Sequence, residues 1–197
     1  MTGTGDPRER REGEIPGAGV LGMWIFLAAL SVLFLASIAG YLIVRTKAAA
    51  WPPPGMPRLP NGLWLATGLL LAGSVTVHLA LTRIRLGQRT AAVRWLTATL
   101  TLAIAFLLVQ TWNWWDLIAA RMTATTKNLY AFTFFMLTGL HAAHVIGGVI
   151  LLAVVTARAA KGRYGSGRHN GITYAAMYWH FLDVVWVVLF AVLVLFA

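Results

Sequence analysis

Four of the five histidines and one aspartate of this sequence lie inside long apolar stretches: His78, His141, His144, His180 and Asp183. The segment YWHFLDVVWVVLF, Tyr178 to Phe190, carries His180 and Asp183 three residues apart, and His141 and His144 have the same spacing. On a helix that spacing puts both members of a pair on one face. Two kinds of chemistry follow. A pair of neutral imidazoles on different helices can grip haem. Alternatively, Asp183 accepts a hydrogen bond from His180, and the polar groups join helices inside a lipid-facing bundle.

The elements that position these residues are legible from composition. Of 197 residues, 59% are hydrophobic and 11% charged, against about 25% charged in a soluble domain. Five apolar runs, Val20–Arg45, Asn61–Arg83, Ala91–Trp115, Leu129–Ala157 and Ile172–Ala197, each exceed the roughly 20 residues that cross about 30 Å of hydrocarbon as a helix. The fold class is therefore an all-α membrane protein, a five-transmembrane-helix bundle spanning 20–197. Residues 1–19 are polar and mixed in charge, and are expected to be a mobile tail with no cleavable leader. There is no cysteine, which excludes disulfides, thiolate metal sites and cysteine nucleophiles.

The net charge of +10 does not point to nucleic acid, because the basic residues cluster in short connections between spans. Eleven of the 16 lie on one side: Arg8, Arg10 and Arg11, then Arg83, Arg85, Arg89 and Arg94, then Arg158, Lys161, Arg163 and Arg168. Arg45, Lys47, Arg58, Arg121 and Lys127 lie on the other. This excess puts the N-terminus in the cytoplasm and the C-terminus outside.

Counted from the cytoplasmic ends of the runs, His78 lies roughly 9 Å deep, His180 roughly 13 Å and His144 roughly 20 Å. No two depths agree, so a haem-gripping pair is not expected, and interhelical or lipid contacts are. A pump or ion-coupled transporter needs a relay of ionisable groups. Four of the six acidic residues lie in the tail and Asp116 at a helix end, so Asp183 stands alone. Trp112, Trp114 and Trp115 read as interfacial anchors, as does Trp51 in the rigid WPPPGMPRLP connection. Trp179 and Trp186, seven apart, share a face and offer a surface to a partner protein. Gly68, Gly73, Gly139, Gly147 and Gly148 permit close helix approach.

Several segments together resemble subunit III of the haem–copper oxidases. YWHFLDVVWVVLF is similar to that family's terminal helix, FFMLTGLHAAHVIGG (Phe134–Gly148) to its FF-x-x-TG-F-HG-x-HV-x-x-G helix, WPPPGMPRLP to its Trp-Pro-Pro loop, and GMWIFLAAL (Gly22–Leu30) to a helix start. They occur in the family's order. The resemblance implies an accessory subunit of a respiratory terminal oxidase in a bacterial plasma membrane. Such a subunit holds no haem or copper of its own and has no catalytic residues. It packs against catalytic subunit I beside subunit II, supports assembly and proton-coupled oxygen reduction, and binds phospholipid. The residues assigned to lipid or subunit packing are His141, His144, Trp179, His180, Asp183 and Trp186. Longer family members have seven helices, and the five here match the last five. Family glutamates fall at Leu30, at Asn113 in QTWNW and at Thr173, so their roles do not carry over. An accessory subunit of a quinol oxidase or nitric oxide reductase stays open as an alternative. From other classes, a haem-binding membrane cytochrome and a small transporter remain.

Overall fold

The computed structural model describes residues 18–122 and 128–195. Most of the polar tail, with Arg8, Arg10 and Arg11, lies outside the described residues, as does Lys127. Five helices appear among those described: α1 (Ala18–Lys47), α2 (Gly62–Arg85), α3 (Arg89–Ala119), α4 (Leu129–Ala160) and α5 (Asn170–Leu195). All five are long and apolar enough to cross a membrane. Ala18 and Gly19 belong to α1. Every other helix end falls within four residues of the sequence expectation.

Local chemistry fixes the ends. Gly87 (φ 74°) and Gly162 (φ 77°) follow α2 and α4 in the left-handed region. The amides after them fold back, Gln88 to the Arg83 carbonyl and Arg163 to the Arg158 carbonyl, which satisfies acceptors the helix leaves open. Asn128 caps the start of α4 by accepting from the Ala131 amide at 3.1 Å.

The helices α2, α3, α4 and α5 form a closed ring in which each packs on the next, and α1 lies outside on the seam of α4 and α5. Burial follows that arrangement. Half of the α5 span is buried, against 17% for α1, whose buried residues Leu27, Phe34 and Tyr41 form one stripe seven residues apart. Trp51 pins the far end of α1. Its indole donates to the Tyr41 hydroxyl at 3.2 Å and meets the rings of Tyr41 and Tyr130 edge-on. It is thus packed between α1 and α4 rather than free as an interfacial anchor.

Of the five glycines expected to let helices approach, Gly73 and Gly148 are the ones packed tightly against a neighbouring helix. A side chain at Gly73 would press on Trp179 and one at Gly148 on Tyr178, whereas the Cβ positions of Gly68 and Gly139 are open. On the opposite face from Trp51, Arg89 at the start of α3 donates from Nε to the Ala159 carbonyl at 3.0 Å and from a terminal nitrogen to Ala160. A guanidinium there satisfies the last carbonyls of α4 and faces the negative end of its dipole.

Candidate functional site

The residues singled out by type and spacing occupy three surroundings. Asp183, Trp179 and Trp186 lie on the buried side of α5, at 5%, 1% and 1% exposure. Trp186 donates from Nε1 to the Thr67 hydroxyl on α2 at 2.9 Å. Its ring meets Phe106 edge-on at 5.2 Å and lies 4.9 Å from the imidazole of His141. The partner-facing surface expected of Trp179 and Trp186 is therefore internal. Their large apolar rings fill the ring of helices, and a seven-residue repeat on α5 points inward because this helix is central.

His141 is fully buried among Phe34, Phe106 and Trp186, with neither ring nitrogen hydrogen-bonded among the described residues. His144, one turn along, is half-buried. Its Nδ1 pairs with the Leu140 carbonyl at 2.8 Å, and its own carbonyl accepts from the Tyr178 hydroxyl at 3.0 Å. That last bond ties α4 to α5.

The contact expected between His180 and Asp183 does not form. The Nδ1 of His180 instead meets the Ser74 hydroxyl on α2 at 2.6 Å. Ser74 also lies beside the Asp183 carboxyl, yet neither carboxyl oxygen is within hydrogen-bond geometry of a described residue. Residues three apart on a helix are displaced by about 60° around the axis, which follows from about 100° per residue. Here that offset leaves Asp183 buried and His180 half-exposed, and the α2 hydroxyl fits between them.

His78 and His180, at different backbone depths, nevertheless meet. The rings of His78 and His180 lie 6.2 Å apart with their planes inclined by 53°. Depth was counted at the backbone, but side chains lean toward the N-terminus of their own helix. α2 and α5 run in opposite directions, so the two imidazoles lean toward each other. A haem would still need a slot as wide as its macrocycle. The interface is filled instead by the Trp179 indole, packed against Gly73.

Sequence reasoning passed over Ser74, Thr67 and Gln110. Gln110 is 1% exposed, and neither amide atom has a partner among the described residues. A glutamine within LLVQTW was the available signal. Thr76 and Thr99 bond to each other across α2 and α3 at 2.9 Å. In the tryptophan cluster, Trp112 and Trp115 are exposed, whereas Trp114 donates to Thr138 on α4 at 3.1 Å. Asn113, at one of the missing glutamate positions, is buried with its Oδ1 against Gly62.

Together these contacts define a class: a multi-pass helical membrane protein whose intramembrane polar side chains join one helix to the next. No cluster of three or more histidine, aspartate or glutamate side chains suited to a metal occurs among the described residues. Comparison with known proteins gives the family. Residues 19–197 match the family described as cytochrome c oxidase subunit III. The chain is 37% identical over 177 residues to cytochrome c oxidase subunit 3 of Synechocystis sp., covering 89% of this chain and 74% of that one. The same protein of Thermostichus vulcanus is 31% identical, with coverage of 91% and 88%. That of Branchiostoma lanceolatum is 36% identical, with 85% and 62%. The chain belongs to the cytochrome c oxidase subunit III family and is an accessory subunit of a haem–copper oxidase.

Proposed function

We propose that the chain is a non-catalytic subunit that packs against catalytic subunit I, with subunit II in the same complex, and supports assembly and proton-coupled oxygen reduction. Haem and copper belong to those partner subunits. The observation that carries this reading is the use made of the intramembrane polar groups. Ser74–His180, Thr67–Trp186, Thr76–Thr99, Trp114–Thr138 and Tyr178–His144 each connect two helices of the same chain. Such bonds fix a packing scaffold.

The assigned packing residues divide accordingly. His141, Trp179, Asp183 and Trp186 hold the chain's own core, and the half-exposed His144 and His180 are available to lipid or a neighbouring subunit. A groove of about 540 Å³ between α1 and α5, lined by Trp24, Leu27, Ser31, His180 and Phe181, suits a phospholipid chain. The membrane is the bacterial plasma membrane. Among described residues, Arg83, Arg85, Arg89, Arg94, Arg158, Lys161, Arg163 and Arg168 fall on one face, and Arg45, Lys47, Arg58 and Arg121 on the other. That excess favours a cytoplasmic face at the α2–α3 and α4–α5 connections.

Leu30, Asn113 and Thr173 at family glutamate positions favour one second reading, a subunit of a quinol oxidase or nitric oxide reductase. The test is to purify the chain alone and to purify the oxidase from cells that lack it. The proposal expects the chain to show no haem absorbance, and the remaining complex to keep its haem and copper while losing yield or sustained turnover. Stoichiometric haem in the isolated chain would overturn it.

A further inference from the structure

His78 and His180 are the one pair of intramembrane histidines on different helices whose rings meet among the described residues. His78 is exposed on α2, where its carbonyl accepts from the Thr82 hydroxyl but its ring has no hydrogen-bond partner among the described residues, while His180 is half-exposed on α5. An imidazole on a membrane helix without a partner is unfavourable and marks a functional position by default. The His180 ring holds α5 to α2 through Ser74, and the His78 ring has no part in the packing described above.

The geometry points to a two-imidazole site for an exchangeable divalent cation of the zinc and copper class. Zinc and copper are bound by neutral imidazole in preference to the oxygen ligands that suit magnesium or calcium. Such a cation sits about 2 Å from a ring nitrogen, so two rings that share it have centres roughly 5–6.5 Å apart. The observed separation is 6.2 Å. The inclination of 53° rules out a stacked pair.

The second observation is the Ser74 hydroxyl, 2.6 Å from Nδ1 of His180. Metal-bound histidines use their other nitrogen in just this way, which fixes the tautomer and the ring orientation. In the tautomer whose Nδ1–H donates to the Ser74 hydroxyl, Nε2 of His180 is the ligand atom. No third histidine, aspartate or glutamate completes the set among the described residues. Water or a lipid oxygen therefore fills the remaining positions, and the ion exchanges rather than residing as a cofactor. When bound, it cross-links α2 to α5.

The test is titration of the purified full chain in detergent with Cu²⁺ as its sulfate, read by electron paramagnetic resonance, followed by displacement with Zn²⁺. The expected result is one Cu²⁺ per chain with coupling to two imidazole nitrogens. His78→Gln and His180→Gln should each abolish the two-nitrogen signal. His144→Gln should leave it intact, because His144 already pairs with the Leu140 carbonyl. Ser74→Ala should weaken binding by about 10- to 100-fold, the usual effect of removing such a partner. His78 is exposed, so its substitution leaves the fold in place, and circular dichroism checks this. A two-nitrogen signal that survives in His78→Gln would overturn the proposal. So would a wild-type signal from one imidazole only, which is adventitious copper on a surface histidine.

Discussion

The indole of Trp179 is held by two glycines on different helices, and this makes a quantitative prediction. A methyl group at Gly73 would lie 3.1 Å from Nε1 and 3.5 Å from Cε2 and Cζ2. One at Gly148 would lie 3.4 Å from Cζ3, 3.3 Å from Tyr178 Cε1 and 3.4 Å from Leu182 Cδ1. Carbon contacts prefer about 3.5–4.0 Å, so the Gly73 methyl asks the indole to yield by a few tenths of an ångström, whereas the Gly148 methyl only touches the indole and presses on Tyr178. In Gly73→Ala the indole can move toward Gly148. Each single substitution also gains about 1 kcal/mol of helix propensity. Both singles should therefore lie within about 1 kcal/mol of the parent. In the double variant the indole has no direction of retreat, and unrelieved overpacking costs about 1–3 kcal/mol. The deficit should appear as non-additivity in a double-mutant cycle. The assay is reversible unfolding in mixed micelles by titration with sodium dodecyl sulfate. Gly68→Ala, whose Cβ position is open, serves as the control for propensity alone. An additive double variant would refute the two-sided grip.

Three further outcomes follow from named contacts. Ser74→Ala should lower stability by about 0.6 kcal/mol, the average for an interhelical side-chain bond in a membrane, and should shift the His180 ring resonances in a nitrogen-15 spectrum. Asp183→Asn should leave those resonances in place, because His180 is held by Ser74 and not by Asp183. Trp186→Phe and Thr67→Val remove the same 2.9 Å bond, so in the same unfolding assay their costs of about 1 kcal/mol each should not add. Arg89→Met removes two bonds to the final carbonyls of α4. It should cost about 1 kcal/mol and raise amide hydrogen exchange near Lys161 and Gly162.

The spans were legible because twenty apolar residues in a row leave the backbone no alternative to a helix in lipid. Their ends were less so, since Ile118 and Ala119 continue α3 beyond the tryptophan cluster where the apolar run seemed complete. The identities of the intramembrane polar residues were also legible, but their partners were not. Spacing along one helix suggested His180 with Asp183, whereas the partner came from Ser74, 106 positions away in the chain. Counting depth along the backbone separated His78 from His180, and the opposed lean of their side chains brought them together. Trp179 and Trp186 share a face, but a sequence does not say whether that face looks outward. The ring closed by α2 and α5 makes it the core.

The most direct test of the central claim is capture of the tagged full chain from its native membranes under mild detergent, followed by subunit identification and spectroscopy of the captured material. The expected result is a stable complex with this chain and oxidase subunits I and II in equal amounts, and all haem and copper on the latter two. A chain that leaves the membrane without those subunits, or that carries the haem itself, would contradict it.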